Sequence, residues 1–74
     1  MIGQLRHRAL PDERRAAIES FIREQRWVTV AELCAFTQTS SGTVRRDLAQ
    51  LSEKRVIVRV HGGAIAPAKA DEWH

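Results

Sequence analysis

Seventy-four residues are enough for one small domain, and folding of so short a chain buries only about 60% of the surface that its unfolded form exposes. The 43% hydrophobic and 28% charged residues exclude a disordered segment, and the net charge of +3, carried mainly by arginine, favours an acidic partner such as nucleic acid. The single cysteine excludes an internal disulfide, and a reducing cytoplasm is the natural setting for such a chain. No apolar run of membrane-span length or signal-peptide segment is visible, so we expect no membrane partner.

Residues 1–10 are basic at Arg6, His7 and Arg8 but show no periodic pattern. We interpret them as a flexible basic N-terminus, and the alternative is an arm that contacts a nucleic-acid backbone.

A first helix is predicted to begin at Pro11 and to end near Gln25 or Arg26. Proline suits the first helical position, and the acidic Asp12 and Glu13 complement the positive end of the helix dipole. An apolar stripe of helical period then indicates a face turned towards a core. The stripe consists of Ala17, Ile18, Phe21 and Ile22.

Residues 27–29 are too short for an independent strand, but they can pair as a small edge strand with a later hairpin. Thr29 and Glu32 have the spacing of a capping box, which predicts a short second helix after Thr29. Residues 37–39 are predicted to form the turn that follows this helix. The residues predicted to face inward are Val30, Leu33, Cys34 and Phe36.

A third helix is predicted from the capping residue Ser40 to about Lys54. Val44, Leu48 and Leu51 share one face, because they are spaced by four and then three positions. The opposite side is small and cationic near the helix N-terminus, and such a surface suits a helix that enters the major groove of DNA. It comprises Gly42, Arg46, Ala49 and Glu53, with Arg45 on the flank.

Residues 56–60 are rich in β-branched side chains and are predicted to form a strand, with a turn at 61–63 and a return strand at 64–66. Gly62 and Gly63 are expected to permit a tight turn that needs positive φ. The predicted fold is therefore mainly α with a small β-hairpin, a winged helix-turn-helix of three helices and a wing over residues 11–66. Residues 67–74 are predicted to be a tail or the start of a linker.

Two sequence blocks, at residues 43–48 and 59–64, are similar in residue type and spacing to two blocks of the DeoR family of transcription regulators. The chain resembles the N-terminal DNA-binding domain of this family over roughly residues 14–66. The residues that carry the resemblance are Val30, Glu32, Leu33, Ser40-Ser41-Gly42-Thr43-Val44-Arg45-Arg46-Asp47-Leu48, Leu51 and Arg59-Val60-His61-Gly62-Gly63-Ala64. The chain departs from the usual pattern at Thr37 and Thr39, where apolar residues are usual, and at Arg55, where glycine is usual.

The resemblance implies sequence-specific binding of double-stranded operator DNA by a regulator, most often a repressor, of sugar or nucleoside metabolism genes. It implies a phosphorylated-sugar effector only for a separate C-terminal domain, and an oligomer only for a full-length protein. The 74 residues would then be a fragment that holds the DNA-binding half, with a free-standing small regulator as the alternative.

Several residues of the third helix and the wing are candidate DNA contacts, with Arg45 and Arg46 the best of them. Ser41 and Thr43 are expected either to touch phosphate or base edges or to be solvated, and His61 to be a turn residue or a phosphate contact. Arg59 is expected to reach the DNA backbone or to pair with Asp47, which we interpret as a structural partner for a nearby arginine. The full set is Ser40, Ser41, Gly42, Thr43, Arg45, Arg46, Arg59, His61 and Gly62.

No catalytic, cofactor or metal pattern is present, because the three histidines are far apart and only one cysteine exists. We therefore expect no enzyme. The main alternative function is a winged-helix module for protein–protein interaction, which an apolar outer face on the third helix would favour. An RNA-binding module is a weaker alternative, because exposed aromatic residues for base stacking are lacking.

Overall fold

The computed structural model describes residues 10–67, which form three helices and three short strands in the predicted order. This arrangement confirms the winged helix-turn-helix, with the second and third helices as the helix-turn-helix and the last two strands as the wing. The basic residues Arg6, His7 and Arg8, for which we predict a flexible N-terminus with an arm as the alternative, and the predicted tail beyond Pro67 lie outside the described residues. The elements are α1 (Pro11–Gln25), β1 (Trp27–Thr29), α2 (Val30–Thr37), α3 (Ser41–Glu53), β2 (Val58–Val60) and β3 (Gly63–Ile65).

Helix α1 begins and ends where the sequence predicts. The Leu10 amide donates to Glu13 Oε1 at 3.1 Å, so the Glu13 side chain satisfies a backbone donor at a position where leucine offers no cap. At the other end the Arg26 amide donates to the Ile22 carbonyl at 2.7 Å, and a φ of 71° at Arg26 turns the chain into β1.

Side chains cap both helices of the helix-turn-helix. Thr29 Oγ1 accepts from the Glu32 amide at 3.0 Å while Glu32 Oε1 accepts from the Thr29 amide at 2.8 Å, which confirms the predicted capping box. Ser40 Oγ accepts from the Thr43 amide at 3.2 Å and so confirms the predicted start of α3.

The turn between α2 and α3 differs from the prediction, because Thr37 is the last residue of α2 rather than the first of the turn. Its side chain is buried, and its hydroxyl donates to the Leu33 carbonyl at 2.8 Å. The hydroxyls of Thr37 and Thr39 also share a hydrogen bond of 2.7 Å. These hydrogen bonds satisfy the hydroxyls of Thr37 and Thr39, two positions at which the sequence departs from the apolar residues of the family that it resembles. Gln38 then reverses the chain with a φ of 57°.

The core lies between the three helices and the sheet. The predicted apolar faces supply most of it, and the strands and the segment before β2 add Val28, Ile57 and Ala64. Cys34 carries a free thiol and is only partly buried at the edge of this core, so the prediction of a buried residue is met in part. The buried apolar residues are Ile18, Ile22, Val28, Leu33, Val44, Leu48, Leu51, Ile57 and Ala64.

Strand β1 pairs with the hairpin, as predicted, and its direct neighbour is β3. The antiparallel sheet has the order β1-β3-β2, so β3 is the central strand. Val28 and Arg59 both lie opposite Ala64 in the registers of the two pairs, and Trp27 and Val58 both lie opposite Ile65. Because directly paired residues share a face, Val28 and Ala64 turn one face of the sheet to the core.

Strand β2 is shorter than predicted, since it does not begin until Val58. Strand β3 has the predicted length of three residues but lies one residue earlier, from Gly63 to Ile65. The end of α3 accounts for the late start of β2. Arg55 has a φ of 62°, its amide donates to the Ser52 carbonyl at 2.9 Å, and the Val56 amide donates to the Leu51 carbonyl at 3.2 Å. This pair of bonds is a Schellman motif, which occupies the segment before β2.

Within residues 10–67, no helix combines the length and the apolar character that crossing a membrane requires.

Candidate nucleic-acid interface

Helix α3 presents two distinct surfaces. Val44, Leu48 and Leu51 are buried on one side, as predicted. On the other side Gly42, Arg45, Arg46 and Glu53 are exposed and Ala49 is half-buried. This outer surface has no large apolar side chain, so it lacks the apolar character that would favour the protein-interaction alternative.

The N-terminus of α3 is open to solvent. Ser40, Ser41 and Gly42 are exposed, and Thr43 is half-buried. The Ser40 hydroxyl caps the helix and also donates to Thr43 Oγ1 at 3.2 Å, so these two side chains are already hydrogen-bonded to each other. The first amides of any helix lack an acceptor within the helix, and they attract anionic groups such as phosphate.

Arg45 and Arg46 are exposed, and neither forms an ion pair with any residue between 10 and 67. Arg23 on α1 is also exposed, but it forms an ion pair with Glu19 at 2.8 Å across one helical turn. The guanidinium groups on α3 therefore remain available for an external carboxylate, phosphate or base edge.

The wing carries the remaining candidate residues, Arg59, His61 and Gly62, and all three are exposed. Arg59 makes no ion pair with Asp47, so of its two predicted roles the structural pairing is wrong. Gly62 has a φ of 78°, which confirms the expected positive value at this position of the turn.

Gly63 has a different role from the one expected. Its φ is not positive, and it is the first residue of the central strand β3 rather than part of the turn. A Cβ atom at Gly63 would lie 2.1 Å from the Val28 carbonyl oxygen, so glycine is needed for the close approach of β1 and β3. The wing turn is also tied to α2, because the Val30 amide donates to the Gly62 carbonyl at 2.9 Å.

Asp47 lies on α3 directly after Arg46 and faces α1. It accepts from Arg14 Nε at 2.5 Å, from Arg14 Nη2 at 3.1 Å and from Arg15 Nη1 at 3.4 Å. The hydrogen bond with Asp47 raises the pKa of the Arg14 guanidinium; partial burial opposes the rise, and the charge of Asp47 adds to it. Asp47 is therefore the partner of arginine that the sequence predicts, and both arginines come from α1.

Sequence reasoning missed Arg14 and Arg15 as members of this cluster. They precede Asp47 by more than thirty residues, and a pairing over that distance has no local spacing rule. The only available signal was that both stand beside the inward-facing stripe of α1, which packs against α3.

The described part of the chain contains no group of three or more histidine, cysteine, aspartate or glutamate residues that could hold a metal ion.

Comparison with known proteins identifies related sequences over most of the chain. The family model of the DeoR-like helix-turn-helix domain matches residues 14–70. The chain is 41% identical over 56 residues to the HTH-type transcriptional repressor GlcR of Bacillus subtilis (strain 168), a match that covers 76% of this chain and 22% of GlcR. It is 36% identical over 64 residues to the glycerol-3-phosphate regulon repressor of Escherichia coli (strain K12), covering 84% of this chain and 25% of that protein.

A third relative is the putative galactitol utilization operon repressor of Escherichia coli (strain K12), which is 42% identical over 52 residues, with 70% of this chain and 46% of that protein covered. The chain thus spans about a fifth to a quarter of the length of GlcR and of the glycerol-3-phosphate regulon repressor. No solved structure matches the chain.

Proposed function

The chain belongs to the family of DeoR-like helix-turn-helix DNA-binding domains, and from this we propose that it binds a specific double-stranded operator with α3 in the major groove and the wing against the backbone. The observation that carries the proposal is the pair of exposed arginines, Arg45 and Arg46, that make no ion pair within residues 10–67. They project from a helix whose opposite side is held in the core, so they can enter a groove without disturbing the fold.

The residues of α3 divide by position. Arg46 lies near the centre of the outer face and is assigned to a base edge, where a guanidinium can pair with guanine through two hydrogen bonds. Arg45 lies on the flank and is assigned to phosphate. Ser40, Ser41, Gly42 and Thr43 surround the helix N-terminus, where hydroxyls and free amides bind phosphate or base edges and small side chains let the backbone approach.

The wing residues Arg59, His61 and Gly62 are assigned to the DNA backbone. Their exposure supports this role, as does the bond from the Val30 amide to the Gly62 carbonyl, which holds the wing turn against the start of α2. Contacts from the wing would add affinity without reading sequence, because phosphate contacts position a protein rather than specify a site.

The regulated genes are proposed from the family resemblance, which implies sugar or nucleoside metabolism, and from the names of the relatives. GlcR, the glycerol-3-phosphate regulon repressor and the putative galactitol utilization operon repressor are repressors by name, and two of these names mention a sugar alcohol or its phosphate. We therefore assign the chain to a cytoplasmic repressor of sugar or nucleoside metabolism genes that acts by binding and not by catalysis. A phosphorylated-sugar effector and oligomerisation would belong to a part of the protein outside residues 11–66.

Selection of genomic DNA fragments with the purified chain tests the function directly. We expect enrichment of a short common sequence near genes for carbohydrate or nucleoside use. The matched variant is the double substitution Arg45→Ala and Arg46→Ala, which should fold normally and enrich nothing. If the double variant folds and still binds DNA like the parent, α3 is not the recognition helix and the protein-interaction alternative becomes the better one.

A further inference from the structure

Asp47 is the one buried carboxylate in the described part of the chain. Its side chain is 1% exposed, and the Arg14 and Arg15 side chains that hold it are 15% and 17% exposed. Arg14 engages it through two nitrogens, one to each carboxylate oxygen, whereas Arg15 makes a longer contact and bonds Asp12 at 2.6 Å as well. The two-pronged bond between Arg14 and Asp47 is therefore the main polar link between α1 and α3.

Stability alone is a weak reason for such a pair. Removing two charges from water costs free energy that their attraction only partly offsets, and apolar residues of similar volume often serve a core as well or better. A two-pronged arginine–carboxylate bond differs from apolar packing in being directional, since it fixes the orientation of both groups. The geometry of the pair thus points to a role in orientation.

The position of Asp47 indicates that the pair orients α3 and the arginines on its outer face. It follows Arg46 directly and lies one helical turn beyond Thr43, in the middle of α3. The apolar contacts of Val44 and Leu48 hold α3 against the core, but apolar attraction is non-directional and tolerates small rotations and shifts. The bond from Asp47 to Arg14 restricts rotation and sliding of α3 at the turn of the helix that carries Arg45 and Arg46.

We propose that Arg14 and Asp47 are positioning residues for DNA reading, in that α1 holds α3 at the rotation and height from which its arginines reach base edges. This inference rests on the proposed function of α3. Hydrogen bonds to base edges depend on orientation, whereas attraction to phosphate is long-ranged and tolerant of small shifts. Loss of the link should therefore reduce discrimination between DNA sequences more than it reduces binding to DNA in general.

The test compares the 74-residue chain with two variants and a matched control for each. Arg14→Lys keeps the positive charge but cannot form the two-pronged hydrogen bond to Asp47, and its control is Arg23→Lys on the same helix. The double variant R14M/D47L keeps the net charge and fills the space with apolar atoms, and its control is E19L/R23M at the exposed pair joined at 2.8 Å. The probes are a duplex selected by the parent from a random library and a scrambled duplex of equal composition.

For Arg14→Lys and R14M/D47L, the ratio of affinities for the selected and scrambled duplexes is expected to fall by about tenfold or more, with scrambled-duplex affinity within about twofold of the parent. Both controls should keep the parental ratio. Circular dichroism and thermal unfolding establish that each protein is folded at the temperature of the binding assay. A merely structural pair would lower the unfolding temperature and leave the affinity ratio of the folded variant unchanged.

Each other result has a definite meaning. If Arg14→Lys folds and keeps the parental ratio, the positioning role is wrong while the proposed function stands. If Arg14→Lys does not fold, the pair serves stability and the inference is overturned; if only R14M/D47L fails to fold, the comparison of Arg14→Lys with Arg23→Lys decides. If the parent itself does not distinguish the two duplexes, the proposed function fails.

Discussion

Arg46 and Arg45 are neighbours in sequence, but their different positions on α3 predict different defects. Arg46→Ala should change thermal stability by no more than about 0.5 kcal/mol, because the side chain is exposed and makes no ion pair within the described residues. If it reads guanine, its loss should cost roughly 1–3 kcal/mol at one base pair and relax specificity there. Arg45→Ala should instead weaken binding evenly across sequences.

The measurement is the affinity of each single variant for an operator and for all its single-base variants, with Arg23→Ala on α1 as the control for loss of one exposed arginine. A flat specificity profile for Arg46→Ala, with equal losses at every site, would assign this side chain to phosphate instead.

Gly62 and Gly63 are adjacent in the wing, and alanine should be tolerated differently at the two positions. At Gly62 a Cβ atom would meet open space, but the φ of 78° is strained for alanine, so Gly62→Ala should cost about 1 kcal/mol. At Gly63 the Cβ would lie 2.1 Å from the Val28 carbonyl oxygen, and β1 and β3 would have to separate. Chemical denaturation of the two variants should find Gly63→Ala the less stable; the reverse order would contradict this account of the sheet.

At the scale of the elements, helix ends and apolar faces could be predicted from the sequence because local chemistry determines them. Pro11, the Thr29 capping box and Ser40 each act within one turn of helix, and the structure confirms all three. The features that were not predicted depend on distant contacts. The partners of Asp47 lie on another helix, and Gly63 is required by the approach of β1 from a remote part of the chain.

The length of β2 illustrates the same limit. The β-branched residues after Arg55 favour a strand, but the Schellman motif at the end of α3 uses the first of them, and Ile57 turns into the core. Arg55 occupies the left-handed position of this motif, where glycine is usual, with a φ of 62°. Helix α3 ends at Glu53 despite the lack of glycine.

This helix end gives a stability prediction. Arg55→Gly should stabilise the protein by about 1 kcal/mol, because glycine adopts positive φ without the clash that a Cβ atom causes. Lys54→Gly is the matched control, since Lys54 has a φ of −81° and gains nothing from glycine. Thermal unfolding of the two variants checks the prediction, which fails if Arg55→Gly is no more stable than the parent.

At the scale of the whole molecule, the arginines of α1 make all the ion pairs found within residues 10–67. Asp47 and Glu19 are occupied by arginines of α1, whereas Arg45, Arg46 and Arg59 make no ion pair within residues 10–67. These three exposed arginines are therefore available to an anionic partner such as DNA.

Binding to duplex DNA should accordingly weaken steeply as salt is raised, because each arginine that neutralises a phosphate releases a condensed counterion. Titration of a labelled duplex at several salt concentrations gives the slope of log affinity against log salt. Substituting a phosphate-contacting arginine should reduce that slope by about one, so Arg45→Ala and Arg59→Ala are each expected to do so, while Arg23→Ala should not. A parental affinity that does not change with salt would rule out phosphate contacts as the basis of binding, and an unchanged slope for Arg59→Ala alone would show that Arg59 does not contact phosphate.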